Sequence, residues 1–188
     1  MDRCIRGGVD IVQLREKHLD DDTLLSRARA LLAVCRSYEV PFIVNDRPDL
    51  AAAVGADGVH VGQDDAPPAH ARAIVGDDAI VGLSTHAPSE LDDAAAEPVD
   101  YVSAGPVVPT PTKPGRPGTG LGYLAYAAAH APVPWFVTGG VTPKTVPTMA
   151  AAGATRFVVV RWLTESEDPT RAATELSKAI ARALQGVS

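Results

Sequence analysis

The fold is decided by residues 41–65, which read PFIVNDRPDLAAAVGADGVHVGQDD. The β-branched run Phe42–Val44 predicts a short buried strand, and the Ala-rich stretch Asp49–Val54 has the spacing of a helix. A second apolar run, Gly58–Val61, follows the turn at Gly55. Nearly continuous apolar strands that alternate with helices are typical of a parallel sheet. This stretch therefore predicts two parallel strands joined by a helix.

The same unit recurs along the chain. Seven runs predict strands: Val9–Leu14, Phe42–Val44, Gly58–Val61, Ala79–Leu83, Tyr101–Ser103, Trp135–Thr138 and Phe157–Val160. Seven stretches predict helices: Asp22–Ser37, Asp49–Val54, Ala69–Ile74, Ser89–Ala96, Gly122–His130, Thr145–Ala152 and Thr170–Leu184. No shift in composition marks a linker, and we therefore interpret residues 1–188 as one domain.

The chain opens on what reads as the end of a helix, Met1–Arg6, followed by Gly7 and Gly8. With seven strand–helix units after it, the simplest prediction is a (β/α)₈ TIM barrel. Its first strand and most of its first helix are absent from this sequence. A doubly wound open sheet is the alternative layout for the same order of elements.

The composition argues against several classes of protein. The chain has 188 residues, 46% hydrophobic and 21% charged, and a net charge of −6 without a Lys- or Arg-rich run, which argues against a nucleic-acid partner. No apolar stretch approaches the roughly 20 residues of a membrane span, and residues 1–6 lack the apolar core of a secretory signal. We therefore expect a cytoplasmic protein, and leave open whether it forms a homo-oligomer. Cys4 and Cys35 have no close partner at metal-ligand spacing, which predicts free thiols.

Polar residues follow the apolar runs, at the ends where a parallel α/β protein carries its chemistry. Arg15 and Lys17 follow the first run on one side of the chain, with Glu16 between them pointing away. These two cations form either a solvated charge cluster or a clamp for a polyanion. Arg offers a planar fork of donors for such a ligand, and Lys offers a mobile point charge.

Asp46 and Asp65 end adjacent predicted strands and form a natural pair for Mg²⁺. This ion takes few protein carboxylates, together with waters and the oxygens of a substrate phosphate. Each carboxylate has a second interpretation as a helix cap, Asp46 before Pro48 and Asp65 before Pro67. Cations and acids together favour a site for a metal and a diphosphate.

The segment Ala104–Gly120 holds five Pro and four Gly in 17 residues. A loop of this length in a compact domain is usually functional or disordered, and we interpret it as a lid because Pro limits the entropy lost on ordering. Thr110, Thr112 and Lys113 within it combine hydroxyl donors with a cation, which suits a phosphate or a carboxylate.

Gly139 and Gly140 follow one predicted strand, and the next strand ends at Val160-Arg161. In barrels, backbone N–H groups of the loops after the last two strands bind a phosphate, and glycine lets the backbone approach it closely. Thr145 is predicted to cap the following helix, because Pro147 would break a helix that began earlier.

An ordered set of motifs covers Gly7 to Leu163. The motifs are Gln13–Lys17, Val44–Arg47, Gly58–Asp65, Gly82–His86, Gly105-Pro106, Thr110–Pro114 and Thr138–Val141. In this order they resemble the thiamine phosphate synthase family. The resemblance implies the incomplete barrel described above. It also implies a Mg²⁺-dependent transferase that joins 4-amino-2-methyl-5-hydroxymethylpyrimidine diphosphate to thiazole phosphate, giving thiamine phosphate and pyrophosphate.

The resemblance also implies a role for each matching residue. The pyrimidine-diphosphate site would comprise Gln13, Arg15, Lys17, Asn45, Ser84 and Lys113. The Mg²⁺ ligands would be Asp46 and Asp65. The thiazole-phosphate site would comprise Thr110, Thr112, Gly139, Gly140 and the backbone of Val160 and Arg161. The catalytic residues would be Arg15, Lys17, Ser84 and Lys113.

The reaction implied by the resemblance is dissociative. Pyrophosphate departs and leaves a pyrimidine cation that the thiazole nitrogen captures, so no general base is essential and placement and charge stabilisation dominate. Four of the five histidines are scattered without a nucleophile nearby in sequence and are not expected to act as a base. They are His60, His70, His86 and His130.

Two features depart from the family pattern. Arg161 and Trp162 stand where the family often has small residues, and the missing first strand would leave the barrel open. Two other functions stay open, namely a thiazole tautomerase of the same superfamily and a non-catalytic barrel that binds a phosphate ligand. The tautomerase would not need the carboxylate pair together with Arg15, Lys17 and Lys113.

Overall fold

Six parallel strands form the sheet of this computed structural model, which describes residues 1–110 and 117–186. They are β1 (Val12–Leu14), β2 (Phe42–Asn45), β3 (Gly58–Val61), β4 (Ile80–Thr85), β5 (Tyr101–Ala104) and β6 (Trp135–Val137). Each strand pairs with the next along the chain, and the sheet curls into a half-barrel. This sequential order excludes a doubly wound sheet, in which the strand order reverses at a switch point.

Helices separate the strands and cover the outer face of the sheet. They are α1 (Asp2–Arg6), α2 (Asp21–Ser37), α3 (Pro48–Val54), α4 (Pro68–Val75), α5 (Pro88–Asp93), α6 (Gly120–His130), α7 (Val146–Ala151), α8 (Arg161–Thr164) and α9 (Pro169–Gln185). The predicted start of α7 after Thr145 is confirmed, although the Thr145 side chain forms no capping hydrogen bond, and Pro147 lies in the first turn, where a missing N–H is tolerated. Sequence periodicity did not predict α8, because four residues are too few to show a period.

The core lies between the curled sheet and these helices. Phe42, Val44, Val59, Val61 and Val81 are almost fully buried, and each such side chain contributes about 1.5–3 kcal/mol to folding by leaving water. Burial on both faces matches the prediction of a parallel sheet. The strands therefore form a rigid support for the side chains that follow them.

The predicted strand Phe157–Val160 is not a regular strand. It pairs with β6 through a single bridge between Val137 and Phe157, and the N–H of Val158 donates to the carbonyl of Val137 at 2.9 Å. No described strand pairs with its other side or with the outer side of β1. The predicted first strand is also shorter than Val9–Leu14, because its pairing begins where Val12 donates to the carbonyl of Pro41.

The N-terminal helix α1 packs against the C-terminal helix α9, which brings the two edges of the sheet towards each other. The hydroxyl of Thr170 donates to the carbonyl of Arg3 at 2.8 Å, and Arg3 pairs with Asp168 at 2.9 Å. A small buried cluster joins the two helices to α8: Cys4, Leu163, Ala172 and Ala173. Gly7 is required here, because a Cβ would lie 2.4 Å from the carbonyl oxygen of Thr170.

Two expectations from composition can be compared with the structure. Within residues 1–110 and 117–186, no helix combines the length and the apolar character that a membrane crossing needs. Cys4 and Cys35 are both free and buried, as predicted. Burial raises the pKa of the Cys35 thiol, which keeps this thiol protonated.

Candidate active site

A cavity of about 280 Å³ opens at the carboxyl ends of strands β1 to β4. Six residues predicted from the sequence line it, namely Arg15, Lys17, Asn45, Asp46, Asp65 and Ser84. The lining also includes Gly62, Gln63, Asp64 and His86. Because the carboxyl ends of parallel strands meet at one edge of the sheet, residues far apart in sequence come together here.

Lys17 and Asp46 form an ion pair across the cavity. Lys17 Nζ lies 2.8 Å from Asp46 Oδ2, and the Lys17 side chain is 47% exposed. A pair this exposed contributes at most about 1 kcal/mol to stability, so it does not by itself explain why these residues are present. Asp46 adopts a left-handed backbone with φ +64°, and α3 begins after Arg47 without a side-chain cap. Asp46 is therefore not a helix cap.

Asp65 is half-buried beside Asp46. Its carboxylate accepts from the N–H of Gly62 at 2.8 Å, and α4 begins after Pro67 without a side-chain cap, so Asp65 is not a helix cap either. Burial, followed by the hydrogen bond with Asp46, raises the pKa of Asp65, while the Gly62 N–H and Lys17 act in the opposite direction. Two carboxylates this close resist carrying two negative charges together, and a divalent cation would relieve that repulsion.

The carboxylates of Asp46 and Asp65 fit magnesium better than a metal that takes all its ligands from the protein. In the described part of the chain, no group of three or more His, Cys, Asp or Glu side chains is arranged to hold a metal ion. Mg²⁺ commonly uses one or two carboxylates and takes its remaining ligands from water and substrate phosphate. Asp46 and Asp65 supply such a pair, and Arg15 and Lys17 line the same cavity.

Ser84 is fixed at the base of the cavity. Its Oγ lies 2.9 Å from Nε2 of His60, and its carbonyl accepts from Nε2 of Gln63 at 2.8 Å. The other ring nitrogen of His60 lies 2.9 Å from the hydroxyl of Tyr101, whose pKa is raised by burial. His60 is thus a buried strand residue with both ring nitrogens engaged.

His86 is a lining residue to which sequence reasoning gave no role. One oxygen of Glu90 accepts from the backbone N–H of His86 at 2.7 Å and lies 2.8 Å from its ring Nδ1. Because a carboxylate only accepts, this contact assigns the ring proton to Nδ1 and fixes the orientation of the imidazole. The four-residue spacing of His86 and Glu90 after a polar strand end was the sequence signal for this contact.

A second group of backbone donors follows β6 and the Phe157 bridge. Gly139 and Gly140 have φ of +88° and +76°, a conformation that favours glycine. Among the described residues, no protein acceptor pairs with the N–H groups of Gly139, Gly140, Val160 or Arg161. Such a set of donors suits an anion. Arg161 does not end a strand as predicted, because it is the first residue of α8.

Two of the other predicted site residues, Gln13 and Thr110, lie within the described part of the chain. Gln13 lies on β1, is exposed and does not line the cavity, but its side chain forms a hydrogen bond with Tyr101, the neighbour of His60. Thr112 and Lys113 lie outside the described residues, so the prediction of a lid is not tested. Thr110 is half-buried at the end of the described stretch.

Comparisons with known proteins agree with these motifs. Residues 1–163 match the family model described as thiamine monophosphate synthase. The thiamine-phosphate synthase of Thermus thermophilus is 48% identical over 176 residues, which are 93% of this chain and 84% of that protein. The thiamine-phosphate synthase of Synechocystis is 44% identical over 182 residues, which are 97% of this chain and 53% of that protein. The chain thus spans about half the length of the Synechocystis relative.

A solved structure has the same fold along nearly the whole chain. The thiamine phosphate pyrophosphorylase from Pyrococcus furiosus superposes with a TM-score of 0.89 at 28% sequence identity. The match covers 97% of this chain and 88% of that chain.

Proposed function

This chain belongs to the thiamine monophosphate synthase family, and we propose that it joins 4-amino-2-methyl-5-hydroxymethylpyrimidine diphosphate to thiazole phosphate, releasing thiamine phosphate and pyrophosphate. The observation that carries the proposal is the composition of the cavity. Two cations, the adjacent carboxylates of Asp46 and Asp65 and a third carboxylate from Asp64 line it, and backbone donors suited to a monophosphate follow β6 and the Phe157 bridge. The substrates are small molecules, and the proposal includes neither nucleic acid nor membrane.

Asp46 and Asp65 would hold Mg²⁺. Both carboxylates line the same cavity and are close enough to share a hydrogen bond, which supports this assignment. When bound, the ion would neutralise charge on the diphosphate. Lys17, which pairs with Asp46, would then be released to contact a phosphate oxygen.

The pyrimidine diphosphate would lie over β1 to β4. Arg15 and Lys17 line the cavity as its cations, and Lys113 would supply a third. Ser84, held by His60 and Gln63, would fix the pyrimidine end together with Asn45 and Gln13.

The thiazole phosphate would lie against the later strands. Its phosphate would accept from the backbone N–H groups of Gly139, Gly140, Val160 and Arg161, which lack protein acceptors among the described residues. The hydroxyls of Thr110 and Thr112 would add donors from the loop after β5. The two phosphate-bearing substrates are thus held by opposite halves of the site.

Catalysis would rest on placement and on charge stabilisation. The bond between the pyrimidine methylene carbon and the diphosphate oxygen breaks, and pyrophosphate keeps the electron pair. Arg15, Lys17 and Lys113 stabilise the charge that develops on it. The thiazole nitrogen then donates its lone pair to the methylene carbon, so no proton needs to be removed in this step.

The carboxylate pair and its cations favour this synthase over the two alternatives. A thiazole tautomerase has no diphosphate to bind, and a non-catalytic barrel needs no leaving-group site. We further infer that residues 1–188 form one domain of a (β/α)₈ barrel without its first strand, in a cytoplasmic protein. The packing of α1 on α9 supports the barrel, because it places the first and the last helix side by side.

The test is an assay with both substrates, with and without Mg²⁺. We expect thiamine phosphate and pyrophosphate in equal amounts, formed only with the metal. Binding of pyrophosphate with Mg²⁺ but without turnover would favour the non-catalytic barrel. Isomerisation of a thiazole phosphate without any need for the pyrimidine substrate would favour the tautomerase.

A further inference from the structure

The loop after β6 is held from outside the proposed phosphate site by a threonine. We infer that Thr145 is a positioning residue, which fixes the backbone of Gly139–Val141 in the form that binds the monophosphate. This inference rests on the proposed function. The hydroxyl of Thr145 donates to the carbonyl of Gly140 at 2.8 Å and accepts from the N–H of Thr142 at 2.9 Å. One half-buried side chain thus closes the loop on itself.

The Thr145 hydroxyl does not cap the helix that follows it. Thr145 is the N-cap of α7, where a threonine side chain normally accepts from an N–H of the first helical turn. No such side-chain bond to α7 is formed, and Thr145 has helical dihedral angles. Its hydroxyl forms hydrogen bonds with the preceding loop, so this side chain stabilises the loop rather than the start of the helix.

Two carbonyls of the loop after β6 are held by hydrogen bonds, and this fixes the direction of the N–H groups in the same peptides. In a trans peptide the C=O and the N–H point in opposite directions. Thr145 anchors the carbonyl of Gly140, and the N–H of Val107 anchors the carbonyl of Thr138 at 2.8 Å. The N–H groups of Val141 and Gly139, which belong to the same two peptides, are therefore turned away from these anchors. Gly139 is one of the donors proposed above, and Val141 would be a further donor of the same loop. Within the described residues, neither N–H donates to a protein acceptor.

Two consecutive glycines need such an anchor. Glycine adopts positive and negative φ with similar ease, so without an anchor the loop would sample many conformations and binding would have to restrict them. Removal of the anchor should weaken monophosphate binding without changing the diphosphate half, which lies over other strands. One neutral hydrogen bond corresponds to a change of about three- to tenfold.

The experiment compares Thr145→Val, which keeps the shape, with Thr145→Ser, which keeps the hydroxyl. For Thr145→Val we expect the KM of thiazole phosphate to rise about three- to tenfold. The KM of the pyrimidine diphosphate and kcat at saturation should stay within twofold. Thr145→Ser should restore the wild-type value. Thr148→Val, an exposed change on α7, is the matched control and should alter neither KM.

A direct titration keeps this test separate from the proposed reaction. Thiazole phosphate is titrated into each variant without the second substrate, and the dissociation constants are compared. If the wild type binds thiazole phosphate without forming product, the proposed reaction fails while Thr145→Val still tests the inference. Equal increases in both KM values, no increase at all, or the absence of wild-type binding would overturn the role of Thr145.

Discussion

Asp46→Asn is expected to lower kcat about a hundredfold or more, and Asp65→Asn should have a similar effect. A metal bound through only two protein carboxylates cannot lose one of them without weaker binding or a misplaced diphosphate. Steady-state kinetics at fixed Mg²⁺ measure the loss. Full activity of either variant at low Mg²⁺ would remove that carboxylate from the metal site.

The stability of Asp65→Asn separates loss of the metal from loss of the fold. The raised pKa means that charged Asp65 is unfavourable in the metal-free protein. The resulting loss of stability is absent at pH values below the ordinary carboxyl pKa and complete at pH values above the raised pKa of Asp65. Without metal at pH 8, Asp65→Asn should therefore unfold at a temperature no lower than the wild type does. A large drop in Tm would instead assign Asp65 a structural role.

Gly139→Ala should raise the KM of thiazole phosphate about ten- to a hundredfold and leave the KM of the pyrimidine diphosphate nearly unchanged. At Gly139, where φ is +88°, a Cβ would lie 2.5 Å from Cβ of Pro106 and 2.8 Å from the backbone nitrogen of Val107. Backbone contacts of this kind cannot move aside, so the loop and its donors must shift.

Gly140→Ala is the matched comparison and should have the smaller effect. Its Cβ would meet Cγ2 of Val108 at 2.4 Å, but that side chain is 46% exposed and can rotate away. The strain of a positive φ remains in both variants. Kinetics with each substrate varied in turn would contradict the division of the site if the KM of the pyrimidine diphosphate rose more than that of thiazole phosphate.

The diphosphate half of the site was predictable from the sequence because two simple rules combine there. Apolar runs mark parallel strands, and their carboxyl ends meet at one edge of the sheet. Arg15, Asp46, Asp65 and Ser84 each follow or end such a run, and the structure brings them to one cavity. The helix-cap interpretations of both aspartates could be rejected only from the structure, since capping depends on backbone angles.

Other features could not be derived from local patterns. The run Phe157–Val160 has strand composition but a single bridge to β6, because pairing depends on neighbours and not on composition alone. The anchor from Thr145 to Gly140 depends on side-chain geometry. Polar residues of this kind also occur on solvated surfaces, so their types alone do not indicate a contact.

In the proposed site, Asp46 and Asp65 hold the metal that carries the diphosphate. The most direct test is anomalous diffraction from crystals grown with Mn²⁺ and pyrophosphate. We predict a metal peak between the carboxylates of Asp46 and Asp65, with pyrophosphate extending towards Arg15 and Lys17. A metal elsewhere in the molecule, or pyrophosphate bound against the Gly139-Gly140 loop, would contradict this account.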